Sequence, residues 1–348
     1  MTEMNKIKLF TDFNKVAEAP HFGYVFPLVE YLLKKSYNLE NFYHVTDSVE
    51  DADFIALPLS VEYLWQTQQK EYYQRFLDVA KKNHKKLLVF TSGDAGKTIH
   101  DESVITIRLG GFKNKLAKNT FIMSPFFEDP IEKYNLNFYT IDKNEKPSIG
   151  FVGHSAAGFK KVVKEFLVFT KVNFRRLLGK DATDFQSFYP SSVKRFYFLK
   201  KIESLTTIQA NFIHRAKYRA GSVSENDRFK TTIEFFNNIQ ENPFTFCMRG
   251  AGNFSVRFYE TLALGRIPVI VDTNFDLPFS KSIKWDKHCI VVKEDFSDFE
   301  DKINKFYKSI AEEDFIQLQL DNRKIWENYF TKEGYFVSLH TQLQKQFL

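Results

Sequence analysis

The chain has 348 residues, 43% of them hydrophobic and 26% charged, which is the balance of a globular protein with an ample core and excludes a disordered or fibrous one. No apolar run approaches the roughly 18 residues that span a bilayer, and the opening MTEMNKIKLF lacks the apolar centre of a signal peptide, so a cytoplasmic protein is expected. Its two cysteines, Cys247 and Cys289, lie in apolar runs and read as buried thiols of a reducing compartment, not as a disulfide or a metal site.

The length favours two domains, and the first half alternates strand and helix patterns. Residues 6–10 read as a short strand. Residues 22–35 carry a helical apolar period through Phe22, Val25, Phe26, Val29, Leu32 and Leu33. A buried strand is expected at 54–59, a long helix at 61–82, and further strands at 87–91, 104–108 and 120–123. This βα-type domain, 1–145, ends in the polar stretch Asp142-Lys143-Asn144-Glu145-Lys146-Pro147.

A second domain, 146–334, restarts with a strand at 148–153. The net charge of +6 is concentrated just beyond it, because residues 160–201 hold eleven Lys or Arg against Glu165, Asp181 and Asp184. Phe159, Phe166, Phe169, Phe174, Phe185, Phe188, Phe196 and Phe198 are interleaved with these charges. Such a segment suits a peripheral contact with an anionic membrane or an anionic acceptor. The plainer reading is a solvated helical face with its aromatics turned to the core, and nucleic acid is not an expected partner. A strand at 210–215, a helix at 228–240, a strand at 288–292 and helices at 296–310 and 313–330 complete the pattern.

The most informative stretch is 244–271, FTFCMRGAGNFSVRFYETLALGRIPVIV. It reads strand, glycine turn, amphipathic helix, strand, which is one unit of a doubly wound parallel α/β sheet. Its turn, from Gly250 through Gly252 and Asn253 to Ser255, offers backbone N–H groups and the positive end of a helix dipole to a phosphate. Arg249 and Arg257 flank that turn, and cations at a helix N-terminus oppose the dipole unless an anion lies between them. Glu260, three residues beyond Arg257 on one helix face, suits a ribose hydroxyl or an ion pair with that arginine.

The pattern Arg249-Gly250-x-Gly252-x-x-Ser255-x-Arg257-Phe258-Tyr259-Glu260, then Leu262, Gly265-x-Ile267-Pro268-Val269, Leu277-Pro278-Phe279 and Trp285, resembles the exostosin glycosyltransferases of family forty-seven. Weaker echoes are Asp51-Ala52-Asp53-Phe54 and Pro147-Ser148-Ile149-Gly150-Phe151-Val152-Gly153. The resemblance implies a GT-B fold, two doubly wound Rossmann-like domains facing a central cleft. In that architecture a final helix, here 335–348, crosses back to the first domain. It also implies inversion at the anomeric carbon without a metal, and Glu260 on the ribose of the donor. The Leu277-Pro278-Phe279 and Trp285 elements read as architectural.

An inverting transfer needs a base for the acceptor hydroxyl, usually from the first domain. Asp94, in the loop Ser92-Gly93-Asp94-Ala95-Gly96, is the preferred candidate and echoes an Asp-x-Gly element of the family, although the family's preceding histidine has no close counterpart, His84 being too early. His21 and His154 are the rivals. The run 91–98, TSGDAGKT, is near a P-loop but has Thr91 where that motif requires glycine. No His/Cys/Asp cluster has metal-ligand spacing, so neither cofactor nor metal is expected. The expected protein moves a sugar from a nucleotide donor, a UDP-sugar by preference, to a glycan or glycolipid-linked hydroxyl in surface polysaccharide or lipopolysaccharide synthesis, at the inner membrane face. The alternative is a non-catalytic binder of a nucleotide or polyanionic glycan in the same cleft.

Overall fold

Strands of a parallel sheet buried on both faces need continuous apolar runs, and the chain supplies two sets of them. The computed structural model describes residues 5–217, 221 and 224–348. Its first sheet contains β1 (Ile7–Phe10), β2 (Tyr43–Thr46), β3 (Phe54–Ala56), β4 (Lys86–Thr91), β5 (Val104–Arg108) and β6 (Thr120–Ile122). They pair in parallel in the order β2-β1-β3-β4-β5-β6. The second sheet holds β7 (Ser148–His154), β8 (Gln209–Arg215), β9 (Phe244–Cys247), β10 (Ile267–Asp272) and β11 (Ile290–Lys293), also all parallel, ordered β11-β10-β9-β7-β8. Read from the other edge, the second sheet repeats the order of the first five strands of the first. Each sheet therefore has a point where the winding reverses, between β1 and β3 and between β7 and β9.

The helices are α1 (Pro27–Leu33), α2 (Val61–Gln66), α3 (Lys70–Lys82), α4 (Pro130–Tyr134), α5 (Phe159–Leu177), α6 (Ser191–Glu203), α7 (Glu225–Gln240), α8 (Val256–Ala263), α9 (Phe299–Ser309), α10 (Glu312–Tyr329) and α11 (Lys332–Phe347). Two differ from the sequence pattern. The helix expected from residue 22 begins at Pro27, because Val25 is held in a bridge with Leu59 and proline suits a helix's first position. The long helix at 61–82 is two, broken at Gln68, whose backbone is left-handed (φ 60°). Strand β2 escapes a hydrophobicity search, since its sequence YHVT forms a sheet edge with only Tyr43 buried.

The carboxyl ends of the two sheets face each other and touch. Phe112, beyond β5, bridges to Phe275, beyond β10. A Cβ on Gly110 would stand 2.9 Å from the carbonyl oxygen of Asn253, so backbone meets backbone there. Helix α11 packs on the first sheet, with the Tyr43 hydroxyl donating to the Phe336 carbonyl (2.7 Å) and the Tyr335 hydroxyl to that of Ile122. The molecule is an α/β protein of two doubly wound units with a cleft between their strand ends, the GT-B layout.

Candidate active site

Three arginines converge where the winding of the second sheet reverses. Arg257, in the first turn of α8, donates through Nη2 to the Val152 carbonyl on β7 (2.7 Å), and its guanidinium lies 4.2 Å from the Phe151 ring centre. A Cβ at Gly153 would come within 2.7 Å of that guanidinium, so a side chain there would displace it. Arg195, on α6, donates to the carbonyls of His154 (2.8 Å) and Arg249 (2.9 Å), tying the ends of β7 and β9 together. Arg249 donates to the Ala251 carbonyl and stacks over Tyr189 (4.5 Å) and Phe112 (5.0 Å).

The Nε of each of the three is buried without a hydrogen-bond partner. Among the described residues the arginines that form ion pairs, Arg108, Arg215 and Arg323, are others. Burial pushes the guanidinium of Arg195 down to about 10, and the charge of Arg257 beside it adds to that push. Burial likewise lowers those of Arg249 and Arg257. These three desolvated cations, none of them ion-paired with a carboxylate among the described residues, lie in the crevice where open α/β sheets take ligands.

Helix α8 reinforces this. Ser255 stands at its N-cap but makes no side-chain capping bond, so the first-turn N–H groups lack that partner. One turn on, burial lifts the Glu260 carboxyl to about 7 against the opposing charge of Arg257. Glu260 is thus part-protonated near neutrality, able to donate to or accept from a hydroxyl.

Two members of the glycine turn are engaged by the first sheet. Gly252 needs its missing Cβ because the Asp94 backbone carbonyl occupies that space, whereas Gly250 has nothing nearby. The Asn253 side chain is occupied internally: its amide donates to the carbonyls of Gly111, Thr273 and Asn274, and its oxygen accepts from the Thr273 hydroxyl (2.6 Å). Both residues seal the contact between the sheets.

Across the cleft, the loop after β4 presents Asp94 opposite this turn. Gly93 (φ 76°) and Gly96 (φ 58°) adopt the left-handed conformations that bend it. Arg108, 2% exposed at the end of β5, holds the loop from below through Ala95 and Thr98 and pairs with Asp184 (3.1 Å). Asp184 itself accepts from the Thr98 backbone N–H and hydroxyl. Partial desolvation pushes the Asp94 carboxyl above the usual aspartate range while its side chain stays open to solvent. His154 ends β7 beside Arg195; burial, with Lys161 and Arg195, lowers its pKa, and its Nε2 is buried without a partner. His21 is exposed and stacked on Tyr24 (4.3 Å). His84 precedes β4, at the opposite end of the strand from the cleft. The P-loop-like run 91–98 leads into no helix.

The structure thus gathers Arg249, Ser255, Arg257, Glu260 and His154 on one wall and Asp94 on the other. Arg195 and Glu62 were not legible as site residues. Arg195 was one charge among eleven in a basic segment, and only its reach to two strand ends distinguishes it. Glu62, 4% exposed at the start of α2, accepts from the Ser92 backbone N–H (2.7 Å) at the root of the Asp94 loop. Burial raises its carboxyl to about 7, outweighing the hydrogen bonds and Arg108 that lower it. From about pH 4.5 to 7 the folded chain therefore holds a proton there that the unfolded chain has lost, so stability falls as pH rises through that window. Glu62→Gln is expected to remove roughly 2–3 kcal/mol of this pH dependence, read as urea midpoints at about pH 5 and about pH 8. An unchanged slope would place Glu62 in water.

Residues 192–304 match the family model described as Exostosin GT47 domain. An Exostosin-1 homolog of Caenorhabditis elegans is 46% identical over 52 residues, 14% of this chain and 14% of the relative. Human Exostosin-2 is 30% identical over 93 residues, 26% of this chain and 12% of the relative. The chain thus spans 12–14% of the length of these curated relatives. A glycosyltransferase structure from Rickettsia africae covers 98% of this chain and 100% of its own, at 11% identity and a TM-score of 0.36, too loose a likeness to position residues. The segment 192–304 is thus similar to an exostosin domain, and it contains Arg195, Arg249, Arg257 and Glu260.

Proposed function

We propose that the protein is a glycosyltransferase that moves a sugar from a nucleoside diphosphate donor, a UDP-sugar by preference, to a hydroxyl of a glycan or lipid-linked glycan of a surface polysaccharide. The observation that carries this is the cluster Arg195, Arg249 and Arg257, unpaired with any carboxylate among the described residues and seated at the winding reversal of an exostosin-like sheet. In this reading the diphosphate lies against those guanidiniums and the uncapped start of α8, and Glu260 takes a ribose hydroxyl. The Asp94 carboxylate accepts the proton of the acceptor hydroxyl. The freed oxygen bonds to the anomeric carbon on the face opposite the diphosphate, inverting it, and the carbon–oxygen bond to phosphate breaks. Its electron pair leaves on the diphosphate, where the arginines stabilise it. The arginines and helix dipole supply that stabilisation, so a chelator is expected to leave the rate unchanged.

Asp94→Asn separates this from a binding protein. The variant is expected to bind UDP as the parent does while UDP release from UDP-sugars falls by about 10²–10⁴-fold, as loss of a general base implies. Full turnover in Asp94→Asn would move the base to another residue, with His154 next to be replaced. A parent protein that binds UDP but turns over no sugar nucleotide with any acceptor would leave the non-catalytic binder.

A further inference from the structure

We propose that α5 is an interfacial helix that docks the protein on an anionic phospholipid surface. This 19-residue helix buries none of its residues. Phe159 (82% exposed), Leu177 (72%), Leu167 (63%), Phe174 (60%), Phe166 (50%) and Val163 (39%) all face water. At about 100° per residue these six fall within one arc of about 100°. Exposed Lys160, Lys164, Lys171 and Arg175 fill the next arc of about 60°. The helix's one acidic residue, Glu165, is turned inward, where it accepts from the Ser192 hydroxyl. Phe169 and Arg176 are inward too, against Phe188 and Thr183.

An apolar stripe of this size is not left in water by a monomeric domain without a use. The uninterrupted basic band beside it, free of exposed carboxylates, selects the occupant. Apolar side chains enter the acyl boundary while lysine and arginine meet anionic headgroups, the arrangement of helices that lie in a membrane surface. No helix among the described residues is long and apolar enough to cross a membrane, so α5 lies on one. Only four residues separate the helix from the end of β7 at His154, and Asp184, on the loop beyond it, holds the Asp94 loop. Docking through α5 therefore brings the cleft to the lipid surface, where a lipid-linked acceptor resides. That last consequence rests on the glycosyltransferase reading; the docking does not.

The test is co-sedimentation of the full chain with vesicles of phosphatidylcholine alone or mixed with phosphatidylglycerol. The parent is expected to bind the mixed vesicles at least tenfold more tightly, with affinity falling as salt rises. Two variants, Phe166→Ser with Leu167→Ser and Phe174→Ser, and Lys160→Glu with Lys164→Glu and Lys171→Glu, are each expected to lose at least tenfold of that binding while keeping the parent's circular dichroism and UDP affinity. Absence of binding to mixed vesicles, equal binding of parent and charge variant, or concentration-dependent self-association through α5 without vesicle binding would each overturn the proposal. Vesicle binding without UDP binding would instead overturn the donor site and leave the docking standing.

Discussion

Arg257→Ala is expected to weaken binding of a nucleoside diphosphate by about ten- to a hundredfold, because a charge-assisted hydrogen bond to phosphate contributes roughly 1.5–3 kcal/mol. Arg257, in the first turn of α8, has its Nε unpartnered, while its Nη2 is anchored on Val152. Removing it loses the ligand contact and the charge-assisted hydrogen bond to the Val152 carbonyl, and it relieves the repulsion that Arg195 feels. The unliganded variant should therefore unfold close to the parent, which separates a binding defect from a folding defect. Arg257→Lys is expected to rescue only part of the affinity, since an ammonium cannot keep the Val152 bond and face phosphate with a fork. Calorimetric titration with UDP reads both. Unchanged affinity in Arg257→Ala would assign it a structural role.

Arg266→Met is expected to destabilise the fold by about 3 kcal/mol or more, with no direct part in ligand binding. Arg266 is 0% exposed, and it donates to the carbonyls of Gln240 (2.8 Å), Tyr139 (2.9 Å) and Leu264 (3.2 Å). It thereby joins the end of α7, the strand-poor segment leading into the second sheet, and the loop after α8. Burial pushes its guanidinium down to about 10. Methionine fills the volume but leaves those carbonyls without a donor, at a cost of about 1–3 kcal/mol for each that water cannot reach. The urea midpoint should fall with the slope unchanged. A shift no larger than a surface substitution gives, about 0.5 kcal/mol, would mean that water reaches these carbonyls.

The parallel strands were legible because burial on both faces demands apolar runs: 104–108 and 148–154 stand out for that reason. Half-exposed β2 and the left-handed break at Gln68 were not, since neither interrupts the hydrophobic period. The run from Arg249 to Val269 was legible as a unit but not in the duties of its members. Gly265 belongs to the family-like pattern for a structural reason, since it has φ 68° with the Gln319 carbonyl 2.7 Å from where a Cβ would stand, and Arg266 beside it binds the protein's own backbone. Gly252 and Asn253 read as phosphate ligands from the second sheet alone, but the first sheet presses against them. A glycine required by a ligand and one required by a neighbouring backbone look the same in sequence. Arg195 needs the third dimension entirely, because it lies more than fifty residues before Arg249.

The arginine cluster as a diphosphate site is tested most directly by titrating UDP and uridine, at one ionic strength, into the parent and into Arg257→Ala. The expected result is at least tenfold tighter binding of UDP than of uridine by the parent, with that preference largely lost in the variant. Equal affinity for the two ligands in the parent, or a preference that survives the loss of Arg257, would contradict it.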